Sequence, residues 1–327
     1  MPISKLRFFR VKFGSRWGKL KNGGLGLVHM FQDLKGFAQF ISVERGLMLF
    51  MISVGATFLT GEAFAWPAAL FLGVIAFCIW SAVDAMNNLC DVDLDVLSDP
   101  MRAQFTKKLG KVGFFIAVGF TALSLALGAV TLMPFVLLFI GLGIFFGVLY
   151  SVPPFRLRKT VYKPIVNFTV GAVPVMIVAA FFNVFSINVI TLILLIGVTT
   201  AINSLWEDLA DFASDFHSGS RTIPIILGFR RGLLFTVIMG YSMVPLMVLV
   251  GILFQLPPIY YAALASLAGF ITLRLIQKRR TLFKEDKADT KKLFKLGEVL
   301  AKDFVIVAIV FTLSLMLSSL LKINPIF

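Results

Sequence analysis

Three long stretches of this chain, 112–155, 164–206 and 232–273, contain no charged side chain. Nothing else in the sequence restricts the fold so strongly. A hydrocarbon layer about 30 Å thick is crossed by roughly 20 apolar helical residues, so each stretch has room for two crossings. The composition agrees, with 58% hydrophobic and 15% charged residues. A soluble domain is nearer half apolar and a quarter charged, and a globule of 327 residues could not cover this much apolar surface. Nine segments read as membrane spans, near 44–61, 66–89, 112–132, 134–150, 161–182, 184–206, 230–254, 257–275 and 302–321. Pro67, Pro134, Pro257 and Pro258 mark span starts, where a missing N–H costs little. The expected fold is therefore an all-α integral membrane protein with nine transmembrane helices in one bundle, two four-helix halves plus a ninth helix. Residues 1–36 are basic and lack an apolar core followed by a cleavage site. They are read as a cytoplasmic leader before a membrane domain at 37–322.

A formal net charge of +14 could suggest nucleic acid, but its placement points elsewhere. With the N-terminus inside, the inward side receives the leader and the segments 90–111, 151–163, 207–231 and 276–301. Of the 31 Lys and Arg residues, only Lys322 then falls outside. This is the positive-inside pattern of a multi-pass protein of the cell membrane, with a cytoplasmic N-terminus and an outer C-terminus. The bilayer is the partner that the charge implies, and no nucleic-acid partner is expected. The charged connector 276–301 reads as a solvated amphipathic helix on anionic headgroups. Cys78 and Cys90 are too few for a disulfide framework, and His29 and His217 show no metal-ligand spacing.

The chain has 17 acidic residues, and nine of them fall in two short windows. In the first window Asn87, Asp91 and Asp95 stand at i, i+4 and i+8, on one helix face that Asp84 extends. In the second, Asp208, Asp211 and Asp215 stand at i, i+3 and i+7, again one face. Both windows lie at the inward end of an even-numbered span. Stacked, partly desolvated carboxylates repel, so bound cations or basic partners must offset the cost. Oxygen ligands of this kind suit Mg²⁺ bridging carboxylates to substrate phosphates, with Asn87, Asp91, Asp95, Asp208, Asp211 and Asp215 as the cradle. Arg102 follows the first window, Arg221 the second, and the loop after the fourth span carries Arg156, Arg158 and Lys159. Guanidinium forks and ammonium groups there would bind phosphate oxygens that a metal leaves uncovered.

These motifs resemble those of the UbiA superfamily of intramembrane prenyltransferases. Asn87-x3-Asp91-x3-Asp95 with Arg102 is similar to its first signature. Asp208-x2-Asp211-x3-Asp215 followed by Gly219-x-Arg221-Thr-x-Pro is similar to its second. Tyr150-Ser-x-Pro-Pro-x-Arg156-Leu-x-Lys159, with Asn167 and Gly171 downstream, resembles the tyrosine and basic loop between them. The resemblance implies a helical bundle with a lipid-facing cavity, in which a Mg²⁺-bound polyprenyl diphosphate ionises and its allylic cation is passed to an acceptor. It implies catalytic roles for Asp91, Asp95, Asp208, Asp211, Asp215 and Tyr150. Diphosphate binding would fall to Asn87, Arg102, Arg156, Lys159, Arg221 and Asn167. The acceptor would be a glyceryl phosphate ether-lipid precursor or an aromatic quinone precursor. The group that removes the final proton stays open among Asp84, Asp95 and Tyr150. The chain departs from the family text at Asn88, at the residues after Arg102, at Asn203-Ser204 and at Glu207, where a basic residue is common.

Two other functions compete. A phosphatidyltransferase of the CDP-alcohol type would carry an Asp-Gly-x2-Ala-Arg run, which this chain lacks. A cation transporter would place its acids near the bilayer midplane, whereas these lie at one face. The orientation is open to a labelling test in a background with Cys78 and Cys90 replaced by Ser. In intact cells a membrane-impermeant maleimide should label Asn183→Cys, in an outward turn, and spare Ser218→Cys, in an inward loop. The reverse pattern would overturn the topology.

Overall fold

The computed structural model describes residues 33–61, 65–284 and 290–323. Residues 1–32 of the expected leader lie outside them, as do the side chains of Asp93 and Asp95. All regular structure among the described residues is helical. After a short helical run at 33–40 come α1 (Val43–Thr60), α2 (Trp66–Ser98), α3 (Pro100–Leu109), α4 (Lys111–Val130) and α5 (Pro134–Ser151). A 3₁₀ turn (Leu157–Lys159) leads to α6 (Lys163–Phe182), α7 (Ile187–Ala210), α8 (Phe212–His217) and α9 (Ile223–Leu227). The chain ends with α10 (Phe229–Tyr241), α11 (Met243–Leu253), α12 (Pro258–Lys284) and α13 (Thr290–Ile323). Nine of the described segments are long and apolar enough to cross a membrane, with α10 and α11 together forming one crossing.

The helix boundaries follow from local chemistry. Pro100, Pro134, Pro164 and Pro258 sit in first turns, where the absent N–H would have had no partner in any case. Asp99 caps α3 by accepting from the Arg102 N–H at 3.1 Å. Asn183 ends α6 in the left-handed conformation, which asparagine tolerates better than most residues. Two boundaries differ from the sequence expectation. The second span does not stop near residue 89 but continues as helix to Ser98, carrying the whole first acidic window. The second window is not one uninterrupted helix, because α7 ends at Ala210 and the chain bends at Asp211 before α8. Helical bonds nevertheless bridge the bend, from Asp211 N–H to Glu207 C=O at 2.8 Å and from Asp215 N–H to Asp211 C=O at 2.9 Å. In the connector 276–301, α12 runs on to Lys284 and α13 begins at Thr290, so much of it is an extension of the two spans.

The spans close into a ring. Helix α1 packs on α2 and α6, α2 on α5, α5 on α6, and α6 along α7; α10 and α11 lie on α7, and α13 packs against α12, α7 and α1. Helix α4 stands outside this ring against α2 and α5, and Phe114, Phe115 and Leu123 are exposed on it. The largest buried cluster joins α1, α2, α5, α6, α7, the C-terminal end of α11, the first half of α12 and the C-terminal half of α13, with Leu72, Ile140, Ile177, Leu192 and Tyr260 fully enclosed. Without a hydrophobic drive between helices in lipid, small residues that permit close approach count for more. At Gly171 a Cβ would lie 2.2 Å from Thr200 Oγ1 and 2.4 Å from Thr200 Cβ, so α6 and α7 could not stay at their present spacing. Gly171→Val should therefore destabilise the protein by about 1–3 kcal/mol, seen as a lower melting temperature in detergent. An unchanged melting temperature would show that this approach is not tight.

Candidate active site

The end of the ring shared by the start of α1 and the ends of α2, α5 and α7 is polar. Below it lies a cavity of about 220 Å³. Met48, Ile52, Met247, Leu264 and Phe311 are among its apolar walls, while Arg45, Asp84, Asn87, Tyr150, Asn167 and Glu207 bring polar groups to it. A smaller space of about 60 Å³ between α7, α12 and α13 adjoins it through shared Asn203, Trp206 and Phe304. Opposed apolar depth and polar mouth suit an amphiphile with an anionic head.

The loop after α5 lies between the two acidic windows. Arg156 Nη2 donates to Asp91 Oδ1 at 2.7 Å and to the Cys90 carbonyl at 2.6 Å, and Arg158 Nη1 pairs with Asp91 Oδ2. Arg158 Nη1 and Ser151 Oγ also donate to Asn87 Oδ1, each at 3.1 Å. Arg156 adopts φ 43°, a left-handed conformation that costs an ordinary residue of order 1 kcal/mol and is offset by these charge-assisted bonds. On the far side of the loop the Arg221 N–H donates to the Lys159 carbonyl at 2.7 Å, which ties it to the segment after the second window. Asp91 is fully buried, and such a charge is tolerated only when paired. Burial first, and the Arg156 guanidinium second, push the Lys159 ammonium below its ordinary value, while Asp91 and, more weakly, Asp215 pull the other way. The loop cations thus answer acids of both windows.

The second window is held from the other side. Lys163 Nζ contacts Asp208 Oδ1 at 2.6 Å and Glu207 Oε2 at 3.6 Å, and Arg45 Nη2 contacts Glu207 Oε1 at 3.0 Å. Asp208 and Lys163 are both buried. Burial pushes the Asp215 carboxyl above the usual carboxylate range, while Ser220 Oγ, donating to it at 3.2 Å, pulls the other way. Asp211 is exposed at the bend.

The residues expected from the sequence thus divide. Asn87, Tyr150 and Asn167 line the cavity. Asp91 and Arg156 meet directly, and Lys159 and Arg221 share a backbone bond in the covering loop. Asp208 and Asp215 belong to the facing window, and Arg102 lies on α3 beside Asp99 at 3.8 Å, outside the cavity lining. The Asp95 side chain lies outside the described residues. Arg45 and Lys163 were missed, because a cation in the first turn of a span reads only as part of the inward charge belt. Their signal was Glu207, an acid where a basic residue is common, which needed cationic neighbours.

The donor chemistry bears on whether the site suits a metal ion. Among the described residues no group of three His, Cys, Asp or Glu side chains converges closely enough to hold an ion. Yet Asp208 Oδ2 is buried with no hydrogen-bond partner, a costly condition that a hard cation would relieve. A free carboxylate oxygen of this kind is the donor type that Mg²⁺ takes.

Fold and site together define a polytopic membrane protein whose cavity joins a polar mouth to apolar walls. The model of the UbiA prenyltransferase family matches residues 48–299, and the chain belongs to that family and is a prenyltransferase. A relative described as digeranylgeranylglyceryl phosphate synthase from Haloquadratum walsbyi is 22% identical over 202 residues, 61% of this chain and 70% of that protein. A solved structure of a digeranylgeranylglyceryl phosphate synthase superposes with a TM-score of 0.59 at 19% identity, covering 88% of this chain and 98% of that one. A UbiA homolog from Archaeoglobus fulgidus bound to GPP and Mg²⁺ gives 0.58 at 18% identity, covering 84% and 99%.

Removing Lys163 would leave Asp208 buried and uncompensated. Lys163→Met should cost about 3 kcal/mol or more of stability, and adding Asp208→Asn should restore part of it. Equal melting temperatures in detergent for wild type and Lys163→Met would show that the pair carries no such strain.

Proposed function

We propose that this protein transfers a geranylgeranyl-type group from its diphosphate to the free hydroxyl of a membrane-borne glyceryl phosphate lipid, at a site facing the cytoplasm. The observation that carries the reading is the clasp of Arg156 and Arg158 on Asp91 beside a cavity with apolar walls. That arrangement accommodates a phosphate head and a hydrocarbon tail together. The two relatives described as digeranylgeranylglyceryl phosphate synthases favour the glyceryl phosphate acceptor over an aromatic one. The inward placement of the basic residues supports the cytoplasmic side.

Asn87, Asp91, Asp95, Asp208, Asp211 and Asp215 would hold Mg²⁺, as the homolog bound to GPP and Mg²⁺ suggests. When bound, the ion supplies charge neutralisation for the departing diphosphate. Arg156, Arg158, Lys159 and Arg221 bind the remaining phosphate oxygens, with Asn167 and Tyr150 on the cavity side of the head. An arginine released from Asp91 in this exchange keeps its charge close to the leaving group, where it is most useful in the transition state. The apolar walls keep water away from the allylic cation.

The test is purified protein in detergent with Mg²⁺, geranylgeranyl diphosphate and geranylgeranylglyceryl phosphate, followed by diphosphate release and product mass. Turnover should vanish with EDTA and return with Mg²⁺. Asp91→Ala and Asp208→Ala should each lower it at least about 100-fold while still folding. The fold survives in the first case because the freed arginines reach water, and in the second because Lys163 keeps Glu207. Turnover with a hydroxylated aromatic acid in place of the lipid would overturn the acceptor; no turnover with either would overturn prenyl transfer from this donor.

A further inference from the structure

Among the described residues the buried acids are Asp84, Asp91 and Asp208, and Glu207 joins Asp84 in the cavity lining; three of these four have a cation in contact. Glu207 has Arg45 and Lys163, Asp208 has Lys163, and Asp91 has Arg156 and Arg158. Asp84 is the exception. Its side chain lines the cavity, the residue is only 8% exposed, and it makes no hydrogen bond or ion pair with any described residue. Arg45 acts on it only through space, its contact being given to Glu207.

We propose that Asp84 is the catalytic base of this enzyme: it receives the hydrogen bond of the acceptor's hydroxyl and then takes its proton. The inference rests on the prenyl-transfer reading above. A carboxylate that opens on the cavity beside Asn87, with no contact partner of its own, is placed to receive a polar group of a bound molecule. Its position on α2 gives the group its identity. Asp84 lies seven residues before Asp91 on the same helix face, about 10 Å towards the cavity interior, with Asn87 between. A diphosphate held by the loop cations at the level of Asp91 puts its ester carbon below the head, on the side of Asp84.

The other candidates are less suited. Asp95 stands about 16 Å further along α2 from Asp84, beyond Asp91 and away from the cavity. Tyr150 lines the cavity, but a phenol is ordinarily protonated at neutral pH and is a weak acceptor of a proton. Glu207 already carries two cations. The step balances as follows. The C1–O bond of the donor breaks and its electron pair leaves with the diphosphate. A lone pair of the acceptor oxygen forms the new C–O bond at C1, and the hydroxyl proton passes to an Asp84 carboxylate oxygen, from which it returns to solvent after product release.

The experiment compares wild type, Asp84→Asn and Asp84→Glu in four measurements: acceptor-saturated kcat, Kd for geranylgeranyl diphosphate, acceptor-free hydrolysis of that donor, and melting temperature. Asp84→Asn should lose about 10²–10⁴-fold in kcat. Donor affinity should stay within about twofold of wild type, because the proposed role involves no donor contact, whereas acceptor-free hydrolysis should fall with kcat, because water attacking C1 gives its proton to the same base. The melting temperature should hold or rise, because a costly unpaired acid is gone. Asp84→Glu should recover part of the lost turnover. Wild-type kcat in Asp84→Asn overturns the role, and so does loss of donor binding or of folding in that variant. If wild type itself forms no product, the prenyl-transfer reading falls and this role with it, whereas product from wild type and from Asp84→Asn alike removes only the role.

Discussion

Charge neutralisation at the border between bilayer and water is the constraint on which the rest depends. Asp208, Lys163, Glu207 and Arg45 form an alternating series, in contacts of 2.6, 3.6 and 3.0 Å, that joins α7, α6 and α1. On the opposite side Asp91 fastens α2 to the loop after α5 through Arg156 and Arg158. Asp208, Lys163 and Asp91 are buried, and buried charges contribute little net stability over apolar packing but are costly to leave alone. They therefore fix which helices meet at the polar end and in what register.

That arrangement has a chemical consequence. The cations held by Asp91 and the facing acids form a set that can trade partners when a phosphate and a metal arrive. In the proposed reaction these same groups would be positioned for the charge that develops on a departing diphosphate, with little reorganisation left to supply. A prenyl cation generated there would face hydrocarbon walls drawn from α1, α11, α12 and α13. Helix α13 packs against α1 and closes the ring on that side, which in the proposed reaction would limit the water able to trap such a cation.

Much of the fold was legible in the chain, because crossing a membrane requires long uncharged helices and leaves few alternatives. The nine spans and the all-helical bundle were readable from three uncharged stretches, first-turn prolines and the placement of Lys and Arg. The shared face of Asn87 and Asp91 was readable from spacing, since α2 stays helical through the window. The bend at Asp211 was not, because a break of one residue that keeps its neighbouring hydrogen bonds leaves no mark in periodicity.

The sequence by itself determined the kind of molecule, its helices and the type of chemistry at their ends, because these depend on local hydropathy and on residues near in sequence. Only the tertiary structure decided which charge answers which. Lys163 finds Asp208 across 45 positions and Arg156 finds Asp91 across 65, separations that no local pattern records. It also decided that Asp84 faces a cavity without a contact partner among the described residues, because a missing partner is a property of three-dimensional packing and not of any stretch of chain.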